Sequence, residues 1–284
     1  MGHLYRLSKI PNYIKRFGLL NGLFLLLRVE RRLPKKSAVV KQYAVPDFPA
    51  PIYLRESLSD HSIFWQCIVK RQYDFTHFPQ YQRLVAVYHD AVKKGIQPLI
   101  IDCGGNIGLA SLWFAVQFPE AVVYAVEPER NNVEILKLNT AHLGDRVKIL
   151  LGGIWNESGY LKIVNPESGS AAFRVEHSQE RTADSIRAYT IAEICALGGV
   201  ESPFIVKIDI EGAQANLFVN NTEWVSNTHL ITLELDDWLM PWRGTSRAFF
   251  SCLSKVPFDY LLGEESIFCF RDFNAGTDFN IGFQ

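Results

Sequence analysis

The sequence predicts an α/β fold in which a doubly wound parallel sheet carries helices on both faces. Apolar segments typical of buried strands alternate with segments whose apolar residues recur at helical spacing. One such strand ends in a glycine-rich turn that opens a helix, and acidic residues stand at the ends of three later strands. Strands that alternate with helices favour parallel pairing and right-handed crossovers. A ligand of such a sheet lies beyond the carboxyl ends of the strands.

Continuous apolar runs identify strands that are buried on both faces, and glycine, proline or capping residues bound the helices. The predicted strands are 52–55, 99–103, 121–127, 147–151, 204–210 and 230–235, with a closing pair at 260–262 and 267–270. The predicted helices are 63–71 with a cap at Ser59 and Asp60, 81–94, 106–118, 132–142, 191–197 and 249–253. The less regular residues 156–188 predict a short hairpin and a loop.

The chain divides into three predicted parts. Its 284 residues and 48% hydrophobic content suit one large α/β domain with an N-terminal appendage. We expect a basic helical appendage in residues 1–45, a helical leader or lid in 46–95, and the α/β domain in 96–284. Three prolines, at positions 46, 49 and 51, mark the first boundary.

The N-terminal appendage differs from the remainder in charge. Residues 1–42 hold ten Lys and Arg and one Glu, a net charge of +9, whereas the remainder is acidic at −10. A basic head favours an anionic partner, and lipid fits better than nucleic acid because the cations flank the apolar run Leu19–Leu27. That run is shorter than the roughly 20 residues that span a bilayer. We therefore expect peripheral membrane contact through residues 1–42, or else a helix packed on its own domain.

Five cysteines are scattered without the spacing of a zinc site. Unpatterned cysteines are typical of reduced thiols. We therefore expect a cytoplasmic protein, at the inner face of the membrane if the basic head binds lipid.

The first candidate site is the turn after the strand 99–103, which runs Asp102-Cys103-Gly104-Gly105-Asn106-Ile107-Gly108. Its glycines allow a sharp turn. The spacing differs from the dinucleotide fingerprint and lacks the Lys-Ser/Thr end of a P-loop. Asp102 would repel a pyrophosphate but attract a cationic amino-acid ligand such as S-adenosylmethionine. A plain turn capped by Asn106 is the alternative.

The second candidate site is Glu127, which ends the next strand and precedes a proline. A carboxylate about 20 residues beyond such glycines binds the hydroxyls of a ribose. A surface acid at a strand end is the alternative.

The third and fourth candidate sites are acidic pairs at two further strand ends, Asp209 with Glu211 and Glu234 with Asp236. Alternation along a strand puts each pair on one face. Their carboxylates suit a general base, or oxygen ligands for a divalent cation. Solvated strand-end charge is the third possibility. Of the histidines, His177 alone merits a test as a base.

Taken in order, these motifs resemble the FkbM family of methyltransferases over roughly residues 55–270. The resemblance rests on 102–108, on Val126-Glu127-Pro128, on Lys207-Ile208-Asp209-Ile210-Glu211-Gly212-Ala213 and on Leu233-Glu234-Leu235-Asp236-Asp237-Trp238. Residues 64–75 also look like the leader helix of that family.

The resemblance implies the class I methyltransferase fold, a seven-stranded sheet whose last strand is antiparallel. It implies S-adenosylmethionine as donor and an oxygen acceptor on a sugar, glycolipid or other secondary metabolite. It places Asp102, Gly104, Asn106 and Gly108 along the amino-acid end of the donor and Glu127 on its ribose. Asp209 and Glu211 then lie near the transferring methyl group.

The sequence departs from the family pattern at two positions. Gly105 stands where the family commonly has Ala, and Asp236 stands where it often has His. Glu234 with Asp236, or a cation, would then take the place of that His. An NAD- or nucleotide-sugar-binding enzyme, a glycosyltransferase and an inactive S-adenosylmethionine-binding protein are the alternatives. The glycine spacing and the lack of a Tyr-x-x-x-Lys pair disfavour the oxidoreductase.

Overall fold

The computed structural model describes residues 3–31, 33–35, 37–163, 175–210, 213–238 and 240–273. Its strands are β1 Val40–Tyr43, β2 Ile52–Arg55, β3 Leu99–Cys103, β4 Val122–Glu127, β5 Val147–Leu151, β6 Gly153–Ile154, β7 Gly159–Ile163, β8 Val175–Ser178, β9 Ile186–Tyr189, β10 Ile205–Ile208, β11 Leu230–Glu234, β12 Phe258–Leu262 and β13 Ser266–Arg271. Its α-helices are α1 His3–Phe17, α2 Leu19–Val29, α3 Leu58–Phe64, α4 Gln80–Lys93, α5 Leu109–Gln117, α6 Arg130–Thr140, α7 Ile191–Leu197, α8 Gln214–Leu217, α9 Glu223–Asn227 and α10 Arg247–Leu253. A π-helix covers Trp65–Val69, and 3₁₀ helices cover Ala141–Arg146 and Asp236–Trp238.

The central sheet has seven strands in the order β12-β13-β11-β10-β3-β4-β5. Neighbours from β5 to β11 are parallel, and β13 is antiparallel to both of its neighbours. The predicted α/β fold with an antiparallel last strand is therefore confirmed. The strand order reverses direction between β3 and β10, which is where a doubly wound sheet opens its ligand crevice.

Two apolar cores cover the faces of this sheet, because alternate side chains of each strand point to opposite sides. Ile100 of β3 packs into one core with α5 and the leader, and Ile101 packs into the other with α7, α9 and α10. Phe75 is fully buried at the centre of the first core, where its ring meets Trp113 at 5.4 Å and Phe268 at 5.9 Å. The leader is thus anchored to the sheet by aromatic packing.

The N-terminal helices form a hairpin whose inner face packs on this first core. Gly22 of α2 lies so close to α1 that a Cβ there would come within 2.5 Å of the Tyr13 carbonyl oxygen. A buried ion pair of 2.8 Å joins Lys9 to Glu30, and the Lys9 ammonium lies 4.5 Å from the ring centre of Trp65 in the π-helix. The sequence predicts either peripheral membrane contact or packing on the domain for this segment, and its inner face packs on the domain. Within the described ranges, no helix combines the length and apolarity needed to cross a bilayer.

Several element boundaries differ from the predicted ones. Ser57 rather than Ser59 caps α3, and the predicted helix 63–71 changes to a π-helix at Trp65. Helix α5 begins at Leu109 instead of Asn106 because Asn106 and Gly108 adopt positive φ angles that an α-helix excludes.

A second sheet, in the order β6-β9-β7-β8, follows β5. The short hairpin expected within 156–188 coincides with β7, which pairs antiparallel with β8 and β9, so this segment is more regular than the sequence predicts. Residues 164–174 of that segment lie outside the described residues.

Candidate active site

The glycine-rich turn connects β3 to α5 and carries three positive φ angles, at Gly104 (86°), Asn106 (47°) and Gly108 (84°). A Cβ on Gly104 would lie 2.0 Å from the carbonyl oxygen of Asp209, so this position has room only for glycine. The N–H groups of Gly104 and Gly105 both donate to the carbonyl of Val126, at 3.0 and 2.9 Å. The turn is therefore held between the ends of β4 and β10.

Glu127 ends β4 and is only 5% exposed. Its Oε2 accepts the N–H of Asn106 at 2.8 Å, and its Oε1 accepts the N–H of Glu129 at 3.0 Å and Nδ2 of Asn132 at 3.1 Å. Burial raises the pKa of the Glu127 carboxyl, and these hydrogen bonds oppose that shift. Since a carboxylate accepts about four hydrogen bonds, Glu127 has room for roughly one ligand hydroxyl, on Oε2.

A connected set of polar side chains fixes the orientation of Glu127 from behind. Asn132 also accepts Nη2 of Arg55 at 2.6 Å, and Arg55 forms an ion pair of 2.8 Å with the buried Asp60. The leader strand β2 therefore helps to fix a residue predicted to bind the ligand. Asn132 and Arg55 carried no signal in the sequence, because their partners are distant along the chain.

Asp102 is wholly buried, and its carboxylate is shared by two neighbours. Oδ1 lies 2.9 Å from Nζ of Lys207, and Oδ2 accepts the Ser111 hydroxyl at 2.6 Å. Lys207, itself 2% exposed, also donates to the carbonyl of Gly104 at 2.8 Å. Asp102 thus orients the turn from inside, and Lys207 compensates its charge.

Asp209 follows β10 and lies beside Lys207; we call Asp102, Lys207 and Asp209 the charged cluster. Its Oδ2 accepts the Tyr73 hydroxyl at 2.9 Å and lies 3.4 Å from Nζ of Lys207, while 39% of its side chain is exposed. Burial, and next the Asp209 carboxylate, raise the pKa of Tyr73 well above its usual value, so its hydroxyl keeps its proton and donates. Asp209 is therefore fixed on one side and open on the other.

The charges of this cluster do not cancel. Burial lowers the pKa of Lys207, but Asp102 and Asp209 outweigh burial and raise it above the usual value of a lysine. One ammonium therefore faces two carboxylates, and the cluster keeps one net negative charge where the strands end. Such a charge attracts a cation.

Glu234 ends β11, the strand beside β10. Its Oε1 accepts Nε1 of Trp238 at 3.2 Å. Burial, then the nearby carboxylates of Asp209 and Glu265, raise the pKa of Glu234 to about 7. A carboxylate with that pKa exchanges its proton near neutral pH, as a general base must.

The two predicted acidic pairs at the strand ends have different outcomes. Strand β11 ends at Glu234, and Asp236 begins a 3₁₀ helix, where it is 6% exposed and accepts Nε2 of Gln214 at 3.3 Å. The predicted shared face of Glu234 and Asp236 is therefore wrong, because the alternation of a strand does not extend into a helix. Strand β10 ends at Ile208 and Glu211 lies outside the described residues, so the pairing of Asp209 with Glu211 stays a prediction.

The remaining expectations concern His177 and a metal ion. His177 lies on β8 in the second sheet, where its ring stacks on Trp155 and its Nε2 lies 3.2 Å from the Ser158 carbonyl. Over the residues that the structure describes, no three His, Cys, Asp or Glu side chains are grouped so that they could hold a metal ion.

A cavity of about 200 Å³ lies between the π-helix and the turn that joins β12 to β13. Glu265, which raises the pKa of Glu234, is part of its wall and accepts Nε2 of Gln66 at 3.3 Å. An ion pair of 2.5 Å joins Lys70 to Glu264 at the same cavity. The lining residues are Ser62, Trp65, Gln66, Lys70, Gln72, Glu264 and Glu265.

Two residues at the centre of the site had no role in the sequence analysis. Lys207 interrupts an apolar strand two residues before Asp209, and a lysine in a buried strand needs a carboxylate partner, so a signal existed. Tyr73 lies 136 positions from the Asp209 that it contacts, and its role could not be derived from one sequence.

Comparisons with known proteins show what the sequence is similar to. Residues 102–239 match the family model of the Methyltransferase FkbM domain. Methyltransferase sdnD of Sordaria araneosa is 24% identical over 218 residues, which cover 64% of this chain and 73% of that protein. These matches confirm the FkbM resemblance and a methyltransferase activity.

Solved structures of other methyltransferases are more distant. The 16S rRNA N2 G1207 methyltransferase RsmC of T. thermophilus, in complex with AdoMet and guanosine, aligns with a TM-score of 0.38 and 12% identity, over 85% of this chain and 53% of that chain. A precorrin-6y C5,15-methyltransferase of Geobacter metallireducens aligns with a TM-score of 0.34 and 10% identity, over 66% of this chain and 87% of that chain.

Proposed function

Since residues 102–239 form an FkbM methyltransferase domain, we propose that the protein transfers a methyl group from S-adenosylmethionine to a hydroxyl of a sugar, glycolipid or other secondary metabolite. We infer a hydroxyl acceptor from one observation: the half-buried carboxylate of Glu234, near Asp209, has a pKa of about 7. A hydroxyl must lose its proton when it is methylated, and such a carboxylate can accept it.

The residues around the turn fit the donor. The cluster of Asp102, Lys207 and Asp209 keeps one net negative charge, which suits a ligand with a sulfonium and an ammonium group. Glu127 retains one acceptor position for a ribose hydroxyl. Gly104 and Gly108 shape the turn along which the amino-acid end would lie. When bound, S-adenosylmethionine supplies an electrophilic methyl group on a positively charged sulfur.

Residues of the chain position the reactants and accept the proton. Tyr73 and Lys207 hold Asp209 in place, so its fixed negative charge favours the cationic donor over the neutral product. Glu234 would accept the proton of the acceptor hydroxyl, while bound S-adenosylmethionine would supply the methyl group and leave as S-adenosylhomocysteine, with the electron pair of the broken C–S bond kept on sulfur. Alignment of the two reactants supplies most of the acceleration in such transfers. Glu211 stays a prediction for this site.

The proposed place of the acceptor is the cavity whose wall includes Glu265, a carboxylate that helps to raise the pKa of Glu234. Its wall combines the indole of Trp65, the amides of Gln66 and Gln72, and the ion pair of Lys70 with Glu264. An aromatic side chain with hydrogen-bonding neighbours suits a hydroxyl-rich molecule. The buried, unpaired cysteines agree with a cytoplasmic location.

The test is to incubate the protein with S-adenosylmethionine labelled in its methyl group and a panel of sugars, glycolipids and polyketides. The proposal expects a product that gains one methyl group on oxygen, located by mass spectrometry and NMR. It also expects Glu234→Gln to lose activity while S-adenosylhomocysteine still binds. A methyl group on nitrogen or carbon would contradict the O-methyl proposal. Binding without transfer to any acceptor would favour an inactive S-adenosylmethionine-binding protein.

A further inference from the structure

We propose that the α1–α2 hairpin docks the protein on an anionic membrane surface, with the outer face of α2 lying in the lipid interface. The proposal does not depend on the reaction catalysed. It rests on the apolar outer face of α2 and on the cations around it.

Helix α2 is apolar on nearly every side, although the protein covers only one of them. Leu25, Leu26 and Val29 point inward and are at most 6% exposed. A helix that is apolar all round is normally buried on all sides. The opposite side of α2 therefore needs a second apolar environment.

That opposite side carries three large apolar residues with one face in common. Leu20 is 82% exposed, Phe24 58% and Leu27 67%, and their spacing of four and three residues aligns them along the helix. Leu19, at 60%, extends the surface at the start of the helix. We call these four residues the outer face of α2. Exposed apolar groups in one row mark an interaction surface, whereas scattered single ones do not.

The cations around the outer face indicate what covers it. Arg28 is exposed and lies 5.2 Å from the ring centre of Phe24, and Lys15 and Lys35 are exposed on the adjoining α1 and on the segment after α2. Each of these three lacks an ion-pair partner among the residues that the structure describes, whereas Lys9, Arg16 and Arg31 pair with Glu30, Asp47 and Glu56. Exposed cations beside an apolar face are complementary to anionic headgroups above a hydrocarbon layer.

A second copy of the chain is a poorer occupant of the outer face. A symmetric dimer would bring this patch against itself, and Arg28, which lies against Phe24 of the outer face, would then approach the cationic surface of the second copy. Like charges in such a contact are repulsive.

The length of α2 indicates how it would lie in the membrane. Its 11 residues span about 16 Å, which fits a helix in the plane of the lipid interface rather than across the bilayer.

The experiment is flotation of the full chain with vesicles of phosphatidylcholine alone and with phosphatidylglycerol added. Wild type should float with the anionic vesicles, and added salt should weaken the binding. The variant Leu20→Ser/Phe24→Ser/Leu27→Ser should lose at least about tenfold in vesicle affinity. Leu262→Ser, at a residue 77% exposed on β12, is the matched control and should bind like wild type.

Two further measurements decide whether an anionic membrane or a second copy of the chain covers the outer face of α2. Arg28→Glu keeps the outer face apolar and should weaken binding to anionic vesicles by at least about fivefold. Thermal melting should show all variants folded, because the changed side chains are exposed. Equal flotation of wild type and the triple variant, or no flotation of either, would overturn the proposal. A wild-type dimer that the triple variant lacks, measured by light scattering without vesicles, would assign the outer face to a second copy.

Discussion

The ammonium of Lys207 lies 2.9 Å from the carboxylate of Asp102, with both side chains almost completely inaccessible to solvent. The pair joins neighbouring strands β10 and β3 at the point where the glycine-rich turn begins. Because Lys207 also holds the Gly104 carbonyl and approaches Asp209, one side chain links the turn to the carboxylate that faces solvent.

Removal of this ammonium is expected to be costly for stability. Lys207→Met leaves Asp102 buried without its partner, and breaking a buried pair in this way typically costs about 3–5 kcal/mol. Urea unfolding measures the loss. Lys148→Met, which breaks an exposed pair with Asp145, should leave stability nearly unchanged, because water and salt screen exposed pairs. Equal effects of the two variants would show that the buried pair has no special role.

Tyr73→Phe should affect turnover more than donor binding. The change removes the hydroxyl that fixes Asp209, a hydrogen bond to a charged group worth about 1.5–3 kcal/mol. We expect a lower kcat, with the S-adenosylhomocysteine affinity within about threefold of wild type. Tyr124→Phe is the control, because its hydroxyl donates to the Leu197 carbonyl, away from the site. A kcat equal to that of the control would show that the Tyr73 hydroxyl does not contribute to turnover.

Glu234 should make stability depend on pH. Its pKa is about 7 in the folded protein against an ordinary value of 4.5, so the folded state binds more protons between these values and loses stability as the pH rises through them. Glu234→Gln should therefore be more stable than wild type by about 1–2 kcal/mol at pH 8, allowing for its partial exposure. At pH 4 the two proteins should have similar stability. Thermal melts from pH 4 to pH 8 measure the difference in stability between the two proteins. A difference that does not change with pH would contradict a raised pKa of Glu234.

The same group should control the pH dependence of the reaction. Methyl transfer should rise as the pH increases through about 7, because Glu234 accepts a proton only when it is ionised. A rate that is independent of pH between 5.5 and 8.5, at saturating substrates, would exclude Glu234 as the base.

Glu127 should control donor affinity. Glu127→Gln replaces a carboxylate that accepts three hydrogen bonds with an amide whose NH₂ faces N–H donors. We expect S-adenosylhomocysteine affinity to fall by at least about tenfold, or 1.4 kcal/mol. Glu129→Gln changes an exposed neighbour whose side chain accepts the amide of Asn131, and this variant should bind S-adenosylhomocysteine normally. Similar affinities of the two variants would contradict a donor site at Glu127.

The features that the sequence predicted are those set by local patterns. The strands β3, β5 and β11 follow from short apolar runs, and helix α7 has the bounds that the sequence predicts. The glycines of the turn and the position of Glu127 follow from spacing along one stretch of chain.

The features that the sequence could not predict depend on contacts between distant segments. Tyr73 reaches Asp209 only because Phe75 anchors the leader to the sheet, and Asp102 is compensated by a lysine 105 positions later. The second sheet around β9 has few apolar residues to identify its strands. The end of β10 was set two residues too late because Asp209 and Ile210 continue the alternation of the strand.

The central claim is that these strand ends bind S-adenosylmethionine, and the direct measurement is calorimetric titration with S-adenosylhomocysteine, with NAD and UDP-glucose in parallel. We predict micromolar binding of S-adenosylhomocysteine alone, about −8 kcal/mol, in wild type and in Glu129→Gln but not in Glu127→Gln. No heat with S-adenosylhomocysteine, together with binding of NAD or UDP-glucose, would contradict the claim and assign the site to a nucleotide-dependent enzyme of another class.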